Sequence, residues 1–160
     1  MARDISPIVK QSRREGYILH PKAAKIMAKK TNLPGRAAGA RQGKSSLYLT
    51  QLREKQKVRR IYGLLEKQFS KLMDEATRKN QPGQLPGELL IQYLERRLDN
   101  VVYRLGFATS RKAARQLVNH GHFILNGRRV NIPSIRLDVG DELEVRPKSQ
   151  KSGYFGNMDE

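Results

Sequence analysis

The chain has no cysteine, which excludes disulfides and thiolate zinc sites and fits a reducing compartment. Its three histidines form no cluster with carboxylates at ligand spacing, so neither a resident metal nor a metal-dependent reaction is expected. No apolar run approaches the ~18 residues of a membrane span. The start, Met1-Ala2-Arg3-Asp4, lacks the apolar core of a signal peptide. Acidic residues are scarce as well. Across 160 residues, 15 Asp plus Glu face 32 Lys plus Arg, a formal net charge of +17.

Such an excess is more than solubility requires, and like charges at this density repel one another in a compact state. A polyanion relieves that repulsion. Nucleic acid is the commonest one, because each phosphate contact releases condensed counterions. An anionic membrane surface would call for a long apolar face or a lipid anchor, and the sequence offers neither. Charge is unevenly placed: residues 1–50 hold 11 basic and 2 acidic side chains, residues 51–100 hold 11 and 7, and residues 101–160 hold 10 and 6. The first third is therefore expected to order in part on its partner. At 38% hydrophobic and 29% charged, the chain can fold into one or two small domains with small cores.

Along the chain, Pro21 opens a short helical stretch from Lys22 to Lys30, followed by a Gly-rich basic loop over residues 33–44. Ser45 and Ser46 are cap candidates for a helix from Leu47 to Tyr62, which Gly63 interrupts. A second amphipathic helix spans Leu64 to Arg78, with Leu65, Phe69, Leu72, Met73 and Ala76 on one face. Pro82-Gly83 and Pro86-Gly87 mark a boundary. Next, Ile91, Leu94, Leu98, Val101, Val102 and Leu105 form one apolar stripe, which predicts a single helix from Glu88 to Leu105. Arg97 and Arg104 share a different stripe. A short helix from Ser110 to Asn119 sets Ala113, Ala114, Leu117 and Val118 against Arg111, Lys112, Arg115 and Asn119. Nine or ten residues are marginal alone, so one face packs and the other is displayed.

Beyond Gly121 the period changes to two. Phe123 to Leu125 and Arg128 to Val130 flank Asn126-Gly127, the favoured pair for a type I′ hairpin turn. Residues 135–137 and 142–145 read as further strands, and residues from Gln150 to Glu160 as a tail.

Taken singly, each Arg is more readily explained as solvated surface. Together, the repeatedly basic exposed faces of two helices and a hairpin point to nucleic acid, since Arg forks suit bidentate phosphate contacts. Catalysis finds no support. His120 and His122 lack a Ser or Cys partner at recognisable spacing. Asp138, Asp141, Glu142 and Glu144 lack EF-hand spacing and suit edge-strand charge. The Gly-rich loop reaches only Gly43-Lys44-Ser45 and lacks the full phosphate-cradling motif.

The run Leu94-Glu95-Arg96-Arg97-Leu98, Val102-Tyr103-Arg104, Thr109-Ser110 and Ala114-Arg115-Gln116-Leu117-Val118 closely resembles the S-four RNA-binding domain, named after the fourth protein of the small ribosomal subunit. Further stretches, Ser12-Arg13-Arg14-Glu15-Gly16, Leu52 to Gly63, Leu98 to Phe107 and Val130-Asn131-Ile132-Pro133-Ser134, resemble bacterial-type small-subunit ribosomal proteins of that family. The likeness runs from Met1 to about Lys151. It is to a zinc-free version, since Val9 and Ser12 stand where some members have cysteines. It is also C-terminally short, because the family continues for several dozen residues after the module.

The resemblance implies an α+β chain: a mostly helical, ribosomal-RNA-binding part over residues 1–93, a two-helix plus small antiparallel-sheet module over 94–150, and a tail over 151–160. It implies a primary binder of small-subunit ribosomal RNA that helps start assembly. It also implies a place near the messenger entry path beside the third and fifth small-subunit proteins, supporting translational accuracy in the cytoplasm, with no enzyme activity and no cofactor. Carried over by position, Arg13, Arg14, Arg53, Lys55, Lys57, Arg59 and Arg60 would contact ribosomal RNA. So would Arg97, Arg104, Arg111, Lys112, Arg115, Asn119, Arg128 and Arg129 in the module. Arg36, Arg41 and Lys44 would lie near incoming messenger. The recognition half of an RNA-modifying enzyme and a free ribosome-associated stress factor are the alternatives, and 160 residues leave no room for the catalytic domain the first would need.

Overall fold

The structure, a computed structural model, describes residues 4–35, 43–80 and 82–155. The chain forms two compact units, residues 1–70 and 71–160.

In the first unit, α1 (Ile8–Glu15) packs on α2 (Pro21–Lys29) and on α3 (Leu47–Ile61). Pro21 is at the first position of α2, where its missing N–H costs nothing. The Ser46 hydroxyl caps α3 by accepting from Leu49 N–H at 3.2 Å, as the sequence predicts. Gly63, at φ 64°, ends α3 by reversing the chain, and Leu64 N–H returns to the Arg59 carbonyl at 3.1 Å. α4 (Glu66–Arg78) begins in this unit and continues into the second. The interior here is mixed: Ala23, Leu64 and Phe69 are buried, and so are Gln11, Ser12 and Glu15.

The second unit holds α5 (Pro86–Glu95), α6 (Leu98–Arg104), α7 (Arg111–Asn119), β1 (Phe123–Leu125), β2 (Arg128–Val130), β3 (Leu143–Val145) and α8 (Pro147–Gln150). Its antiparallel sheet runs β2-β1-β3, with Phe123 paired to Val130 on one side and Val145 on the other. Asn126 and Gly127 both have positive φ, 49° and 75°, as a type I′ turn requires. The core gathers Leu98 and Val102 of α6, Ala114 and Val118 of α7, Phe123 of β1, Ala108 and Phe155. Eight helices and one three-stranded sheet among the described residues make the chain α+β. None of these helices is long and apolar enough to cross a membrane.

Three elements differ from expectation. The single helix from Glu88 to Leu105 is two helices broken at Arg96-Arg97. Arg97 is extended (φ −65°, ψ 138°), and its backbone forms a bridge with Arg136, with Leu98 N–H on the Ile135 carbonyl (2.8 Å) and Leu137 N–H on the Arg96 carbonyl (2.8 Å). These tertiary bonds replace helical ones, so the apolar stripe is cut, and Ile91 and Leu105 end up exposed. For the same reason residues 135–137 form this one bridge instead of a full strand. The expected tail follows directly on α8 and is packed in part, since Phe155 is buried edge-on to Phe123 and Phe107.

Candidate nucleic-acid interface

In the second unit the interface is organised by two carboxylates with different surroundings. Asp99 is buried and receives Arg97 Nε (3.1 Å), Arg97 Nη2 (2.8 Å) and Arg115 Nη1 (3.1 Å). Arg97 and Arg115 are buried with it. This corrects the expectation that both project from displayed faces. Once the helix breaks at Arg97, Asp99 is in the first turn of α6 and turns inward, and an unpaired buried carboxylate would cost several kcal/mol. Both arginines supply the counter-charge from within.

Glu95 acts at the surface. Its carboxylate accepts Arg104 Nε (3.1 Å) and Arg104 Nη2 (2.8 Å) together with Asn100 Nδ2 (2.7 Å). Asn100, itself buried, turns its Oδ1 to Arg111 Nε at 2.9 Å. The Arg111 guanidinium then lies over the Tyr103 ring, 4.6 Å from its centre. One carboxylate thus orients two arginines at low conformational cost, the kind of preorganisation that strengthens phosphate binding. Periodicity did not reveal Glu95, Asn100 and Tyr103 as positioning residues. The only signal is their spacing relative to Arg104 and Arg111, and it acquires meaning once the helices fold against each other.

At the other end of α7, a Schellman turn closes the helix: Gly121 N–H meets the Val118 carbonyl (2.8 Å) and His122 N–H the Leu117 carbonyl (3.3 Å). Gly121 has φ +70°, and Arg129 crosses so close that a Cβ there would lie 2.6 Å from the guanidinium. Arg129 donates to the carbonyls of Gly121 (3.3 Å) and His120 (3.4 Å). Lys112, Asn119 and Arg128 are exposed. Arg111 and Arg129 therefore flank a nine-residue helix about 13 Å long. Behind this surface, His122 Nδ1 is 2.9 Å from Ser149 Oγ. Burial, then the neighbouring His120, Arg146 and Arg129, push the His122 imidazole below its ordinary value.

In the first unit the basic residues of α3 are tied down in the same manner. Glu15, its side chain fully buried, receives Arg53 Nη1 at 3.2 Å and also Arg60. Burial pushes the Arg60 guanidinium down, with Glu15 acting against it. Arg59 reaches Gln56 (2.9 Å) and the Leu64 carbonyl (3.0 Å). Lys57 pairs with Glu54 at 2.7 Å, and Lys55 holds Glu66 below the usual carboxylate range. Arg13 donates to the Asn32 carbonyl at 2.6 Å. These groups remain partly exposed, and α3 buries no residue. Arg14 and Lys44 are exposed. Arg36 and Arg41 lie outside the described residues.

Among the described residues, no three His, Asp or Glu side chains gather where they could hold a metal ion. Asp138 pairs with Arg96, and Asp141 accepts from Asn126 Nδ2 (2.9 Å) and Asp138 N–H (2.7 Å), so this acidic run shapes a loop.

Comparison with known proteins matches the two segments separately. The family model described as the ribosomal protein S4/S9 N-terminal domain covers residues 3–95, and the S4 domain model covers residues 96–143. The chain is 50% identical to the small ribosomal subunit protein uS4 of Chloroflexus aurantiacus, over 99% of this chain and 76% of that protein. It is 52% identical to that of Roseiflexus castenholzii over the same shares, 99% and 76%. Against that of Syntrophomonas wolfei it is 49% identical over 100% and 78%. Adjoining family matches and this level of identity accompany the Glu95-anchored arginines, and on that ground the chain belongs to the uS4 family of small ribosomal subunit proteins.

Proposed function

We propose that this protein is a structural constituent of the small ribosomal subunit that binds the subunit's ribosomal RNA and catalyses no reaction. The observation that carries the reading is the family match running through both units, on a chain whose net charge is +17. Recognition is by shape. Arg104, Arg111, Lys112, Arg128 and Arg129 in the second unit and Arg13, Arg14, Lys55, Lys57 and Arg59 in the first suit phosphate and 2′-hydroxyl contacts better than base reading. Arg97 and Arg115 support that surface from beneath by fixing α6 and α7. Arg60 has a comparable role around Glu15, while Arg53, bonded to Glu15 at one nitrogen, keeps a third of its side chain exposed toward RNA.

The finer reading is a cytoplasmic protein that binds early and helps nucleate subunit assembly. It would lie near the messenger entry path, with Lys44 in the stretch closest to messenger and the third and fifth small-subunit proteins beside it. Cosedimentation through a high-salt gradient tests the core of this proposal. Stoichiometric recovery with small subunits is expected. Substoichiometric recovery, or recovery with large subunits, would indicate a free ribosome-associated factor instead.

A further inference from the structure

A cavity of about 400 Å³ opens in the first unit between α1, the segment at Leu33-Pro34 and the start of α3. Its chemistry is divided. Leu33, Pro34 and Leu49 form an apolar wall, while Arg14, Arg53 and Glu54 supply charge. Pro34 is buried, and the segment before it is fastened to α1 by the bond from Arg13 to the Asn32 carbonyl. Arg53 is fixed at one nitrogen by Glu15 and keeps 34% of its side chain exposed. Arg14 is exposed and has no ion pair among the described residues. Glu54 is held at 2.7 Å by Lys57.

The volume is within the ~300–1,000 Å³ range of small-molecule sites. An apolar slot beside arginines matches a nucleotide: a flat, weakly polar base and an anionic phosphate. An acidic peptide would match the arginines but not the apolar wall of Leu33, Pro34 and Leu49. The surrounding charge, 11 basic against 2 acidic residues in the first 50, favours a polyanion.

Resting on the RNA-binding reading above, we infer that this cavity receives one unpaired nucleotide of the bound RNA. The base sits against Leu33, Pro34 and Leu49, and its phosphates lie at Arg14 and Arg53. An unpaired nucleotide is already free of its stack, so seating it avoids most of the unstacking cost. This adds a site for one extruded residue to a surface that otherwise binds by shape.

The test uses the 160-residue chain with pentaadenylate, pentauridylate and an abasic ribose-phosphate pentamer. Methyl resonances of Leu33 and Leu49 should shift to saturation with the two base-bearing oligomers and stay in place with the abasic one. Leu49→Glu should lower oligomer affinity on the order of tenfold or more, the size of losing one base contact. Leu47→Glu is the charge-matched control, since Leu47 is 75% exposed on the same helix and outside the cavity. It should change affinity about twofold at most, the general electrostatic effect. Equal losses in the two variants, equal binding of the abasic oligomer, or unmoved Leu33 and Leu49 methyls would overturn the inference. Cosedimentation with small subunits would persist in each of those cases, whereas its loss in the unaltered protein would remove the functional reading itself.

Discussion

Replacing Asp99 with Asn should destabilise the second unit severely while leaving its shape nearly unchanged. The carboxylate receives three N–H donors from two guanidiniums, at 2.8–3.1 Å, and both arginines are less than a tenth exposed. The amide is isosteric but neutral, so two buried cations lose the charge of the carboxylate they share. Removing one partner of a buried ion pair costs about 3–5 kcal/mol, and the shared geometry supports a value near the middle, about 4 kcal/mol. Hydrogen exchange at the Val102 and Val118 amides, in the core on α6 and α7, reads this locally. About 4 kcal/mol corresponds to exchange faster by roughly a thousandfold when it proceeds through opening of this unit. Arg104→Ala, which removes an exposed partner of Glu95, should cost under about 1 kcal/mol. Acceleration below about tenfold in Asp99→Asn would refute the assignment of Arg97 and Arg115 to internal support and return them to the RNA-facing set.

Gly121→Ala forces a side chain into the left-handed region and into the space of Arg129. A loss of about 1–2 kcal/mol should lower the melting temperature by several degrees, and filter binding should show weaker RNA affinity because Arg129 is displaced. An unchanged melting point and affinity would contradict both halves. Glu75 is held down to about 2 from its ordinary 4.5, chiefly by hydrogen bonds from Arg136. A lowered folded value means this stabilisation is complete above about pH 4.5 and fades as the pH falls through about 2. The shift itself sets an upper limit of about 3 kcal/mol. With the carboxylate 24% exposed, screening reduces this to about 1 kcal/mol. The stability gap between the natural protein and Glu75→Gln should thus be constant from pH 5 to 7 and narrow as acid is added. A gap independent of pH down to 2.5 would exclude the ion pair as its source.

Local chemistry made much of the fold legible. Ser46 caps its helix, and Asn126-Gly127 turns the hairpin, because each of these needs only neighbouring atoms. The break at Arg97 was not legible. The residues on either side keep a helical apolar period, and what interrupts them is the backbone of Ile135 and Leu137, some forty positions away. That break also decided the fate of the arginines. Periodicity assigns Arg115 to the face opposite Ala114 and Val118, yet it buries, because Asp99 has been brought within reach. α1 was missed for a related reason: its inward residues are Gln11, Ser12 and Glu15, which no hydrophobic pattern detects. On the candidate surface, the exposed arginines and lysines of α7 and the hairpin could be named from sequence, but the Glu95–Asn100 link that orients Arg111 could not.

The polar interior of the first unit has a thermal consequence. Exposing apolar surface raises the heat capacity of unfolding and exposing polar surface lowers it. A unit whose described buried side chains are Ala23, Pro34, Leu64 and Phe69 beside the polar Gln11, Ser12 and Glu15 therefore has a small increment per residue. Its stability curve is shallow, changing little with temperature on either side of the maximum. The second unit, with Leu98, Val102, Val118, Phe123 and Phe155 inside, has the more sharply arched curve. The chain thus joins one half whose hold on its shape varies strongly with temperature to another whose hold varies little with it.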